Sequence, residues 1–260
     1  MEASVVAISK ASSARTTAAK ARTSGGGGGN GTGQLKWVSG TVFDGAVKDG
    51  KAHGEGVATW PEGHVFEGQW HEDVRMGSGV MKYPDGGSYE GEWMKDQRHG
   101  RGVYRWKNGD VYEGMLKEGV MHGEGTYKFT GASGTAGGDV YEGEFQQGMR
   151  WGQGMVRYGD GRVYEGEWEK DKKQGQGEQR WPRGHVYVGQ WKGDLREGRG
   201  KMSYPDGSVY EGEWRGGVRE GQGALAWPDG QHFKVSRGWG WKGEIGGWDG
   251  RGRWEGEVNE

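Results

Sequence analysis

The chain has no cysteine, which excludes a disulfide scaffold and any cysteine-based zinc site and fits a reducing compartment without requiring one. Hydrophobic residues of every kind make up only 31% of 260, too little aliphatic material for an ordinary two-layer core. The apolar run Val5–Ile8 is too short for a secretory signal or a membrane span. An excess of one charge is lacking as well, since the net charge is −2. Lys10, Arg15, Lys20 and Arg22 against Glu2 give residues 1–24 a charge of +3, so the remainder stands at −5, which argues against nucleic acid as a partner. Proline occurs five times, and those five share one place in a repeating pattern.

What is abundant is glycine, 59 residues, and tryptophan, 15. They are ordered by a 23-residue unit, best seen at Tyr89–Val111, whose starts fall at Phe43, Phe66, Tyr89, Tyr112, Tyr141, Tyr164, Tyr187 and Tyr210. One interval is 29 instead of 23, because of an insertion around Gly131–Gly138. Counting from zero at the first aromatic, positions 2, 11 and 13 are always Gly, and position 17 is always aromatic. Pro61, Pro84, Pro182, Pro205 and Pro228 all occupy position 18, and a Gly follows two residues later. Proline presets one turn corner and Gly supplies a positive φ, so this is a tight reversal.

Between reversals the period is two, which means strands. Positions 0, 2 and 4 read aromatic, Gly, aromatic, as in Tyr164, Gly166 and Trp168, while positions 1 and 3 are mostly acidic. In the second strand, positions 11, 13, 15 and 17 give Gly, Gly, a mostly apolar residue and an aromatic. If the reversal sets position 17 opposite the next position 0, then Lys82 faces Glu90, Arg105 faces Glu113, Lys128 faces Glu142 and Arg157 faces Glu165. The same register lays each position-4 Trp against a neighbouring Gly.

YEGEW, a following G-x-G and a Pro/Asp-Gly turn resemble the MORN repeat family, over about four fifths of the chain. Asp44-Gly45-Ala46-Val47, Met115-Leu116, Phe145 and Val188 depart from the motif without breaking its frame. The expected fold is all-β, an elongated single-layer antiparallel meander of tandem β-hairpin repeats over residues 31–232, opened by a half repeat at Gly31–Trp37. Residues 1–30 read as a disordered basic tail or transit-like segment plus a Gly linker. Residues 233–260 read as degenerate repeats forming a C-terminal cap.

No catalytic constellation emerges. His53, His99 and His122 share position 10, but adjacent ones should lie about 10 Å apart, too far to share a zinc ion whose ligands sit near 2 Å. The paired acids of YEGE recur in four of the eight repeats, as a structural motif would, and no Ser or Cys nucleophile stands out. A non-enzyme without cofactor or metal is expected. Two surfaces remain. Position 9 carries Arg75, Arg98, Arg150, Lys173, Arg196 and Arg219, read as a row of turn cations about 10 Å apart that would suit anionic phospholipid headgroups; membrane binding is what the family's name implies. The aromatic face, with Tyr164, Trp168, Trp181, Tyr187, Trp191 and Tyr204 in its middle, would suit a protein partner or a second copy of the chain. Arrays resembling this one serve as protein-binding and dimerising scaffolds, which makes a scaffold or adaptor the first reading and a lipid-binding module the alternative. The matching locations are cytoplasmic, at a membrane or cytoskeletal surface, or, if residues 1–24 are a transit peptide, a chloroplast or mitochondrion.

Overall fold

The computed structural model describes residues 30–131 and 138–235, and the backbone at 22–23, 248–249 and 253–254. Among these there is no helix. Contacts divide the chain into two compact units, residues 1–163 with 168–171, and residues 164–167 with 172–260. Each is a single-layer antiparallel meander of consecutive hairpins, the all-β class expected from the period-two pattern. The expected half repeat is present as the strand Gly31–Lys36, with Gly33 opposite Gly45. Most of the expected tail, the insertion and most of the expected cap lie outside the described residues. Of their margins, Arg22 stands opposite Lys36, and the strand His232–Val235 sets Phe233 opposite Leu225.

Every repeat produces the same two strands, positions −1 to 5 and 8 to 16, for example Ser88–Met94 and Gln97–Arg105. The turn between them falls at positions 6 and 7, and not at position 9 where the sequence suggests it. Positions 6 and 7 have positive φ in all eight repeats, as in Lys95 at 49° and Asp96 at 65°, and this type I′ geometry matches the right-handed twist of the strands it joins. Side chains there need Gly or a residue that tolerates the left-handed region, and position 7 is accordingly Gly or Asp throughout.

The longer reversal corrects the expected register. Tyr83 donates its N–H to the Gly87 carbonyl and accepts from Gly86 N–H, and Gly86 has φ of 93°. Positions 17 to 21 therefore form a closed loop, and the ladder begins at the pair 16 and −1. Lys82 stands opposite Ser88, Arg105 opposite Val111 and Lys128 opposite Val140, while Glu90, Glu113 and Glu142 face Val80, Val103 and Thr126. Arg157, expected against Glu165, forms a 3.2 Å ion pair with Glu142 of its own repeat. The cross-strand charge ladder is thus displaced by two residues, because the loop closes on the three residues between positions 17 and 21 and not on the five between position 17 and the next position 0.

Within each hairpin the register shifts after position 2: Gly91 pairs with Gly102, but Trp93 pairs with Arg98. This bulge is centred on the position-11 Gly, at φ of 57° in Gly100. The extra residues leave backbone groups without ladder partners, and two recurring side chains take them up. Glu92 Oε1 accepts the Arg101 N–H at 2.8 Å, as Glu144 does for Gln153 and Glu167 for Gln176. Tyr89 Oη donates to the Glu92 carbonyl at 3.0 Å, and Tyr112, Tyr141, Tyr164, Tyr187 and Tyr210 repeat that bond. The second acid of YEGE is therefore a cap for the bulge, and the leading tyrosine is a core ring with a backbone bond to make.

The core is built of rings. Position-0 side chains from Phe43 to Tyr187 are fully buried, and position-4 side chains nearly so. Each position-4 ring stands edge-on to the position-0 rings of its own and the preceding repeat: Trp93 lies 5.1 Å from Phe66 and 5.3 Å from Tyr89, both at 77°. The sequence put the indole flat on Gly, whereas it is the position-0 ring that lies over the glycines. The indole instead stands opposite the preceding position-11 Gly, as Trp93 does opposite Gly77, and donates Nε1–H to the Gly79 carbonyl at 3.1 Å.

Candidate functional site

The bulge decides where position 9 goes. In a straight strand positions 9 and 15 would be about 20 Å apart, yet Arg98 Cζ lies 5.0 Å from the Tyr104 ring and Arg98 Nη1 lies 3.3 Å from Tyr83 Oη of the preceding repeat. The strand bends at its left-handed Gly, and the aromatic face closes over the position-9 side chain. Arg75, Arg98, Arg150, Lys173, Arg196 and Arg219, read in sequence as turn cations, are strand residues turned into the aromatic face. Arg98 and Lys173 are buried and the other four half-buried. Arg75 stacks 4.5 Å from Trp93, Arg150 4.2 Å from Trp168 and Arg196 4.3 Å from Trp214, and such cation–ring contacts compensate part of the lost hydration.

The acids beside that row are also structural. Asp96 accepts the Arg75 N–H at 3.1 Å and its Nε–H at 2.9 Å, and Asp171 does the same for Arg150. Asp194 takes the Lys173 N–H at 2.9 Å, so position 7 clips each repeat to position 9 of the one before. Lys173 Nζ also donates to the buried Gln179 at 2.6 Å. Where position 7 is Gly the clip is a backbone carbonyl alone: Arg98 Nη2 donates to Gly119 and Arg196 Nη2 to Gly217. Burial pushes the Arg196 and Arg219 guanidinium pKa below its ordinary value.

The aromatic residues proposed from sequence fall into two classes. Tyr164 and Tyr187 are fully buried, Trp168 and Trp191 nearly so; these four are core. Trp181 and Tyr204, at position 17, are half-buried and present one side to solvent. Position 17 is half-buried in all eight repeats. In the unit covering residues 1–163 its rings join those of position 15 into a run that sequence reading missed. Tyr83 lies 5.6 Å from Tyr104, Tyr104 4.4 Å from Trp106, Trp106 5.1 Å from Tyr127 and Tyr127 4.3 Å from Phe129. The signal was there: Tyr104 and Tyr127 fill a column that elsewhere holds Ala58, Met81, Val156, Gln179, Met202 and Leu225.

Burial also sets a pH limit. It pushes the phenols of Tyr104 and Tyr187 up to about 12, and those of Tyr89, Tyr112 and Tyr141 upward as well, from an ordinary value of about 10. The fold favours the protonated form, so the stability it contributes is whole below about pH 10 and is lost as pH rises through about 12. Phenolate absorbance is expected to appear in that window together with loss of the near-ultraviolet circular dichroism. Ionisation of the Tyr89, Tyr112, Tyr141 and Tyr187 phenols with the dichroism intact would contradict their placement in the core.

A family model described as MORN repeat matches eight consecutive segments, residues 43–65, 66–88, 89–111, 112–131, 141–161, 164–186, 187–209 and 210–232. Comparison with curated proteins gives no match. Among solved structures, the chain is similar to the TCP domain of Drosophila melanogaster SAS-4 in complex with a proline-rich motif of Ana2, at 16% identity over 62% of this chain and 84% of that one, with a TM-score of 0.39. It is also similar to the TCP10 domain of Danio rerio CPAP in complex with a STIL peptide, at 12% identity over 83% and 99%, with a TM-score of 0.34. At these TM-scores neither likeness bears on what this chain binds.

Proposed function

The chain belongs to the MORN repeat family, and from that premise we propose that it is a non-catalytic scaffold that binds a protein partner on its half-exposed position-17 rings. The observation that carries this reading is the run Tyr83, Tyr104, Trp106, Tyr127 and Phe129. Tyr127 is buried and supports its neighbours, while Tyr83, Tyr104, Trp106 and Phe129 keep one side open. Rings held by other rings have lost their side-chain entropy before any partner arrives, and Trp and Tyr fixed in this way are the residues that most often carry interface energy. In residues 172–260, Trp181 and Tyr204 offer the same kind of surface on a smaller scale.

Replacing Trp106 by Ala in the full chain is expected to leave the melting temperature within a few degrees of the parent. The same change should remove the specifically captured proteins from a quantitative pulldown. Trp181→Ala and Tyr204→Ala test the second set of rings in the same way. Identical captured proteins for parent and all three variants would overturn the reading. In parallel, sedimentation with phosphatidylserine vesicles that fades as salt is added, and that survives all three changes, would favour lipid docking instead.

A further inference from the structure

Among the described residues, the position-9 guanidiniums of the first unit differ in one respect. Arg75 and Arg150 each have a carboxylate at hydrogen-bond distance, from Asp96 and Asp171. Arg98 has none: the equivalent position is Gly119, which supplies only its carbonyl, at 3.0 Å from Nη2. A buried cation without a counter-charge is costly, and the rings around it offset only part of that cost. Arg98 also meets two half-exposed tyrosines. Nη1 lies 3.3 Å from Tyr83 Oη, and Cζ stands over the Tyr104 ring, 5.0 Å from its centre. Asp85, the acid that acts on Tyr104, has Oδ1 occupied by the Gly87 N–H at 2.9 Å.

An oxygen that accepts from a guanidinium turns its own proton the other way, and the cation behind it makes that proton a stronger donor. Tyr83 and Tyr104 are half-exposed neighbours, with ring centres 5.6 Å apart and planes at 31°. Tyr83 thus offers an O–H donor with the Tyr104 phenol beside it, next to a positive charge that has no carboxylate at hydrogen-bond distance. The two tyrosines also stand at one end of the run that continues through Trp106 to Phe129. We propose, resting on the docking reading above, that Tyr83 and Tyr104 with Arg98 behind them bind a carboxylate of the partner. The partner segment places an Asp or Glu side chain on the two phenols and apolar residues on Trp106 and Phe129. A carboxylate fits better than a phosphate, because Arg98 is only 8% exposed and cannot present its fork to a dianion.

The test pans a phage-displayed library of random dodecapeptides on the full chain, followed by affinity measurement with synthetic copies of the enriched peptides. Enriched sequences should share an acid beside apolar residues, and exchanging that acid for its amide should weaken binding about tenfold, the scale of a charge-assisted hydrogen bond. The acid-to-amide ratio should fall below about twofold, on the same basis, in Tyr83→Phe/Tyr104→Phe and in Arg98→Met. The Phe pair keeps both rings, so it remains informative if Arg98→Met fails to fold. Peptides without an acid, or a ratio unchanged in the Phe pair, would overturn the carboxylate anchor while leaving ring docking in place. Amide peptides that bind Trp106→Ala as well as the parent would overturn the docking reading itself, and a panning that enriches nothing would overturn both.

Discussion

Gly102→Val is expected to be among the most damaging single changes in the chain, costing about 3 kcal/mol or more by overpacking. A Cβ at Gly102 would meet three atoms of Tyr89, with the ring carbons at 2.5 and 2.6 Å. That ring cannot yield: it is fully buried, edge-on to Trp93, and tied to the Glu92 carbonyl. Nor can the opposite strand, since Gly91 faces Gly102 and a Cβ there would meet the Gly102 backbone at 2.5 Å. Gly86 is the comparison. It has open space around it and φ of 93°, so Gly86→Ala should cost only the left-handed strain, about 1–2 kcal/mol. Glu90→Ala, at an exposed position, should change stability by less than about 0.5 kcal/mol. Denaturant unfolding in which the three variants cannot be ranked would mean that the position-0 ring does not lie on the paired glycines.

Trp93→Ala should cost about 3–5 kcal/mol, the usual scale for emptying a Trp site in a core. The indole is 5% exposed, stands edge-on to both Phe66 and Tyr89, donates to the Gly79 carbonyl and forms one wall of the Arg75 cage. Removing it takes a donor from the part-buried Gly79 carbonyl and leaves a guanidinium less well covered. Because Trp93 couples one repeat to the next, the loss should appear in hydrogen exchange as reduced protection on both sides of the Phe66–Tyr89 junction, as expected where stability resides in nearest-neighbour interfaces. Protection equal to the parent in those repeats would show that the edge-to-face zipper is not what joins them. Trp106→Ala, by contrast, removes a half-exposed ring and should leave that protection intact.

These expectations rest on a division of labour within a motif whose letters look uniform. In YEGEW the first acid is exposed, whereas the second caps a bulge; the tyrosine and tryptophan are core. The ring that remains for a partner is the one at position 17, where the longer loop begins, outside the motif's most regular part. The column that varies is position 15, in the strand beside it, where Tyr104 and Tyr127 add rings to those of position 17. The substitution of Tyr at positions 104 and 127 is therefore a local elaboration on an unchanged frame.

The sequence by itself determined the unit, its phase, its two strands and the Pro-x-Gly loop, because period two, invariant glycines and a proline are local constraints that act within a few residues. It also identified which columns are aromatic, and hence that the rings and not aliphatic residues form the core. It did not determine the register, which depends on how many residues the loop hydrogen bonds enclose, and the loop closes two residues sooner than a pairing of position 17 with the next position 0 requires. Nor did it show that position 9 turns inward, since that follows from a bulge at Gly100 whose positive φ any glycine can adopt but no letter announces. The separation of Tyr164, Trp168, Tyr187 and Trp191 as core from Trp181 and Tyr204 as surface was likewise decided by the bend of the strand over its own face. Strand alternation says which side of a sheet a ring occupies, but only the curvature of that sheet says whether solvent can reach it.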